Sequence, residues 1–118
     1  MTESITVKIV SIVESGICVA AEDGGKVYHV VYEALKNDKS VTLSFKGIED
    51  LTSVFLNAAI GPLYGEFSEE FLKTHMNPPQ DASQQDLDTL KRCVERAKEY
   101  YRDPERFQSA EAEVFGDD

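Results

Sequence analysis

The order of hydrophobic periods over the first 45 residues constrains the fold most. Ile5, Val7 and Ile9 alternate with Thr6 and Lys8, and Val10, Ile12 and Val13 extend the β-branched run. Period two with β-branched side chains predicts a strand over about residues 5–13. Val27, Val30, Val31, Ala34 and Leu35 then recur at helical spacing, with Lys26, His29, Glu33 and Lys36 between them, which predicts a helix over about Gly25–Lys36. Glu22-Asp23-Gly24-Gly25 reads as the break that places acids ahead of it, and Asn37-Asp38-Lys39 as its end. Ser40–Phe45 is again strand-like, with Val41, Leu43 and Phe45 on one face. Two strands joined through a helix form a parallel βαβ unit, because a parallel pair needs a crossover of this length. Between the first strand and the helix, Glu14-Ser15-Gly16 is a turn, and Ile17–Ala20 can pair back as a short second strand.

Beyond Phe45 the chain leaves the C-terminal edge of the sheet through Lys46-Gly47-Ile48-Glu49-Asp50, the edge where α/β proteins usually bind ligands and partners. Thr52 or Ser53 caps a helix that starts near Val54, and Gly61-Pro62 ends it. Ser68 caps a short helix that opens on Glu69 and Glu70. Met76-Asn77-Pro78-Pro79 is extended, as an edge strand or a linker. Ser83, with Asp86 three residues on, opens a long helix whose stripe is Leu87, Leu90, Val94, Ala97 and Tyr101; Asp103-Pro104 stops it. Residues 103–118 carry six acids and one Arg, half of the net charge of −10, and are expected to form a mobile acidic tail.

That charge argues against nucleic acid, whose phosphates demand Lys and Arg, and against an anionic membrane surface. The longest apolar run, Ile17–Ala21, is far short of a membrane span, and the acidic start Met1-Thr2-Glu3-Ser4 does not suit a signal peptide, so a cytoplasmic location is expected. Cys18 and Cys93 lack metal-ligand spacing and read as small buried hydrophobes. His29 has no Ser or Cys nucleophile close in sequence, His75 sits at the end of a short helix and reads as structural, and Glu69, Glu70, Glu95 and Glu99 read as solvated helix faces. No nucleotide-loop, nucleophile-elbow or zinc-protease motif occurs. The expectation is therefore no enzyme, no metal and no cofactor. The Tyr100-Tyr101 pair is expected to be half-buried core.

What remains is the helix start at the strand edge. Its unpaired N–H groups favour negative charge. Thr52 and Ser53 are ordinary caps, and Ser53 is also a candidate phosphoacceptor. Asn57 lies one turn past Ser53 on the same face, free for a partner or bonded within the domain. The candidate surface is Asp50, Thr52, Ser53 and Asn57, with Lys46 the one basic residue in sequence range to steer a phosphate.

Two segments, Val41–Ile48 and Leu51–Gly61, together resemble the STAS-like domain family of unknown function, a divergent relative of the STAS domains of sulphate transporters and anti-sigma factor antagonists. The likeness extends loosely over residues 5–101. It implies an α/β, STAS-like sandwich: a small mixed β-sheet of about four strands covered by helices, with a long C-terminal helix, over residues 1–102. It further implies a regulatory or adaptor role through protein–protein binding, with a histidine-kinase-like ATPase or anti-sigma-type kinase as partner. A typical antagonist has Asp at the position of Ser44 and Asp-Ser-Ser-Gly at the positions of Thr52, Ser53, Val54 and Phe55. The usual phosphoacceptor position is thus Val54, which has no hydroxyl. The alternative expectation is a small-molecule or nucleotide sensor using the Thr52/Ser53 helix start.

Overall fold

The computed structural model of the chain describes residues 3–102, so the acidic segment over 103–118 lies outside it. Strand β1 (Ser4–Lys8) pairs in parallel with β3 (Ser40–Ser44), with Ser4 opposite Ser40 and Lys8 opposite Ser44. Between them run helix α1 (Ile9–Val13), strand β2 (Ile17–Cys18) and helix α2 (Ala21–Lys36). The parallel crossover expected from the alternating periods is present.

The first strand is shorter than its β-branched run. Lys8 faces Ser44, the last residue of β3, so a longer β1 would have no ladder partner. The chain instead turns into α1, which buries Ile9 and is closed by Glu14 in the left-handed region (φ 65°), its N–H donating to Val10 O at 2.8 Å. β-branched residues disfavour a helix only weakly, and burial of one face overrides that preference.

Helix α2 begins four residues earlier than its stripe suggests, taking Gly24 and Gly25 into its first turns. Gly24 is not a breaker but a contact. α2 crosses α3 (Ser53–Ile60) there, and a β-carbon on Gly24 would collide with Phe55 O. Val27, Val31, Ala34 and Leu35 are buried as expected, whereas Val30 faces outward.

β2 does not fold back on β1, because α1 carries the chain away first. It pairs in parallel with β4 (Asp50–Leu51), with Ile17 opposite Asp50 and Cys18 opposite Leu51. The described strands thus form two small parallel sheets of two strands each rather than one mixed sheet of four. The segment around Met76–Gln80 lies along the free side of β3: Asn77 N–H donates to Val41 O (2.8 Å), Gln80 N–H to Leu43 O (2.9 Å) and Phe45 N–H to Gln80 O (2.9 Å). Pro78 and Pro79 have no N–H to give, so the contact stays at isolated bridges.

β3 is consequently buried on both faces, with Val41 and Leu43 in the core, as is Phe45 just beyond the strand, and with Thr42 and Ser44 also covered. After α3 come the one-turn helix α4 (Leu63–Glu66), then α5 (Glu69–His75) and α6 (Gln84–Arg102). Ser68 and Ser83 accept from the N–H groups of Phe71 (3.0 Å) and Asp86 (3.1 Å), as their capping spacing predicts. α6 docks on α3 and α4 through Cys93 and Ala97. Tyr100 and Tyr101 are exposed rather than half-buried core, and meet edge to face at 4.8 Å.

Candidate functional site

The start of α3 is fixed from three directions. Thr52 N–H donates to Cys18 O (3.2 Å). The Thr52 hydroxyl accepts from Phe55 N–H (3.2 Å) and donates to Val19 O (2.9 Å), so it caps α3 and ties it to the chain beyond β2. One turn in, Phe55 and Leu56 are fully buried. The loop before β4 is held by Gly16, whose carbonyl accepts from Glu49 N–H (2.8 Å) and Asp50 N–H (3.2 Å). Gly47 in that loop sits at φ 85°, a conformation glycine adopts without strain.

Against this rigid base, Ser53, Val54 and Asn57 point outward. Val54 is 54% exposed, unusual for an aliphatic side chain beside two buried ones. Ile17 (42%) and Val19 (38%) on the adjoining segment are exposed as well. The side chains of Ser53 and Asn57 make no hydrogen bond to the described residues. Both border the groove between α3 and α6. Ser53 shares a recess of about 330 Å³ with Arg92, Cys93 and Arg96, and Asn57 shares one of about 520 Å³ with Pro62, Tyr100 and Tyr101. Arg96 and Glu99 line both.

The four candidate residues therefore divide. Ser53 and Asn57 come together on one groove. Thr52 is half-buried with its hydroxyl engaged twice, and Asp50 is exposed on β4, lining neither recess. Sequence reasoning missed Arg92 and Arg96, which α6 brings beside Ser53. Their i, i+4 spacing marks a shared helix face, but nothing in the sequence says that this face meets α3. Ser44 is buried, its hydroxyl accepting from Lys46 N–H at 3.5 Å.

Cys93 donates its thiol to Ser53 O at 3.8 Å. Burial pushes its pKa up while Arg92 and Arg96 pull it down, and the net effect is upward, which keeps the thiol protonated. Cys18 is likewise raised, by burial first and by Asp23 and Asp86 next. His29 is exposed, and His75 stacks on Phe71 at 3.8 Å and meets Asp38 at 2.8 Å. No group of three His, Cys, Asp or Glu among the described residues is arranged to hold a metal ion, and no described helix is long and apolar enough to cross a membrane.

The model of a STAS-like domain of unknown function matches residues 23–84. The chain belongs to this family. In this STAS-like domain the matched stretch runs from the first turn of α2 through β3, β4 and α3 to the first residue of α6, and so includes Ser53, Val54 and Asn57 but neither Arg92 nor Arg96. The comparisons with curated proteins and with solved structures found no match.

The geometry separates the two adjacent hydroxyls. Thr52→Ala removes a cap and a tie, and is expected to lower stability by about 1–2 kcal/mol. Ser53→Ala is expected to change it by less than about 0.5 kcal/mol. Chemical denaturation of the two variants checks the difference; equal losses would contradict the assignment.

Proposed function

We propose that this STAS-like domain is a small cytoplasmic regulatory or adaptor module that acts by binding another protein rather than by catalysis. The observation that carries the reading is the exposure of Val54 and its neighbours Ser53 and Asn57 on a helix start whose following residues, Phe55 and Leu56, are locked in the core. Contact through a pre-ordered surface loses little conformational entropy. Ile17 and Val19 beside it add apolar area, which favours a protein partner over a small polar ligand. The net charge of −10 favours a basic or neutral partner, and the family resemblance points to a histidine-kinase-like ATPase or anti-sigma-type kinase.

A second reading, an anion at Ser53, is supported by Arg92 and Arg96 in the same recess, which Glu95 and Glu99 also line. The anion is a phosphate on Ser53 itself or the phosphate of a sensed nucleotide or other small molecule. Guanidinium groups beside a serine suit a phosphoryl group. The Thr52 hydroxyl, already engaged on both sides, plays no part in it.

Affinity capture from the native cell, followed by direct binding with purified partner, tests the first reading. Val54→Lys is expected to abolish capture of the specific partner, while Val30→Lys, on an exposed position of α2, leaves it intact. Capture indifferent to Val54→Lys would remove the proposed face. Ser53→Glu that leaves partner binding unchanged, with no phosphate on Ser53 by mass spectrometry and no nucleotide bound to the purified domain, would remove the anion reading.

A further inference from the structure

Away from the α3 start, an apolar chamber of about 160 Å³ lies between β3, α4, α5 and α6, walled by residues that include Leu43, Leu63, Leu90 and Val94. None of Ser53, Asn57 or Arg96 reaches it. Protein interiors are close-packed, and voids beyond the size of a water are few. An apolar cavity of roughly 150 Å³ stays dry and admits a benzene ring. The chamber is therefore large enough for one six-membered ring or a short branched alkyl group, and too small for a long acyl chain.

Two polar groups interrupt its apolar lining. Asn77 donates its amide N–H groups to Thr42 Oγ1 (3.0 Å) and Ser4 Oγ (3.3 Å), which leaves its carbonyl oxygen without a partner among the described residues. The Tyr64 hydroxyl makes no hydrogen bond to the described residues, and burial, with Glu69 nearby, raises its pKa, so it is a neutral donor. Tyr64, Leu72 and Met76 line a second, wider cleft of about 790 Å³ as well, so the two spaces adjoin across these side chains.

That cleft is charged. Glu69 is bound by both nitrogens of the Arg102 guanidinium edge (2.7 and 2.6 Å), which satisfies its carboxylate. Lys73 and Lys98 line the cleft without a direct ion pair among the described residues, and Lys98 acts on Glu69 electrostatically; Glu70 is the remaining acid. A ring-sized apolar chamber beside two ammonium groups, of which Lys73 makes no ion pair with the described residues, suits a small acid that carries an apolar group.

We propose that chamber and cleft form a binding site for a small amphipathic carboxylate, its aryl or short branched alkyl group in the chamber and its carboxylate beside Lys73 and Lys98. This site is independent of the α3 surface.

Titration of the full chain with benzoate, and separately with benzyl alcohol as its uncharged counterpart, tests the proposal by methyl-detected NMR. Benzoate is expected to give saturable shifts of the Leu43, Leu63 and Val94 methyl signals, with ring-proton contacts to the same methyls. The double change Lys73→Gln and Lys98→Gln is expected to weaken benzoate by about threefold to fivefold and to leave benzyl alcohol unchanged. Leu90→Phe is expected to fill the chamber and abolish binding of both probes. The ring-proton contacts in the unmodified chain decide the matter even where that variant fails to fold. Absence of saturable shifts at these methyls, or benzoate affinity indifferent to both lysines, would overturn the proposal.

Discussion

Gly24→Leu is expected to destabilise the domain by more than about 3 kcal/mol, enough to unfold a marginally stable chain of this size. The added β-carbon would meet the backbone atoms Phe55 O, which it would overlap, and Ala59 N at 3.3 Å, together with Ala58 Cβ at 2.9 Å. None of these moves by a change of rotamer, so α2 must withdraw from α3, the most extensive contact between described elements. Gly24→Ala meets the same atoms with less bulk. Its expected net loss is about 1–2 kcal/mol, after the helix-propensity gain of roughly 1 kcal/mol is set against the clash. Gly25 supplies the control, because a β-carbon there meets nothing within 4 Å. Gly25→Ala is expected to raise stability by up to about 1 kcal/mol. Adjacent glycines thus respond with opposite sign, which denaturant unfolding reads directly; a Gly24→Ala variant as stable as the parent would contradict the close crossing.

Phe55→Ala is expected to lose about 3–5 kcal/mol, the usual range for removing a wholly enclosed phenylalanine. The ring is the anchor that holds the first turn of α3 against the core, and its own N–H donates to the Thr52 cap. The substitution is expected to loosen the presentation of Ser53 and Val54 along with the fold, so binding falls with stability. A loss below about 1 kcal/mol, measured by calorimetry or denaturant, would show that the helix start is held by something else.

The sequence made some features legible and hid others for physical reasons. Short-range chemistry was readable: Ser68, Ser83 and Thr52 cap the helices that follow them, since a cap depends on three or four consecutive residues. The alternation in β1 and β3 and the stripe of α2 gave the parallel crossover. Val10–Val13 misled because strand preference was overruled where β3 ran out. Gly24 and Gly25 read as a break because the sequence carries no trace of a second helix crossing at that point. The single-bridge pairing of Met76 and Gln80 and the two-residue strands β2 and β4 depend on long-range placement, not on local pattern. At the site, exposure of Ser53 and Asn57 on one face followed from helical spacing. The double engagement of Thr52 with Val19, the outward Val54 and the arrival of Arg92 and Arg96 did not, because each requires knowing which segments meet.

The central claim is that the start of α3, with the edge of β2 beside it, is the surface another protein covers. Amide hydrogen exchange of the domain, alone and saturated with the captured partner, measures this most directly. The account predicts slowed exchange in residues 17–19 and 50–57, with the outer face of α2 around His29 and Val30 unchanged. Slowing confined to α2, α5 or the outer face of α6, with residues 50–57 exchanging as in the free domain, would contradict it.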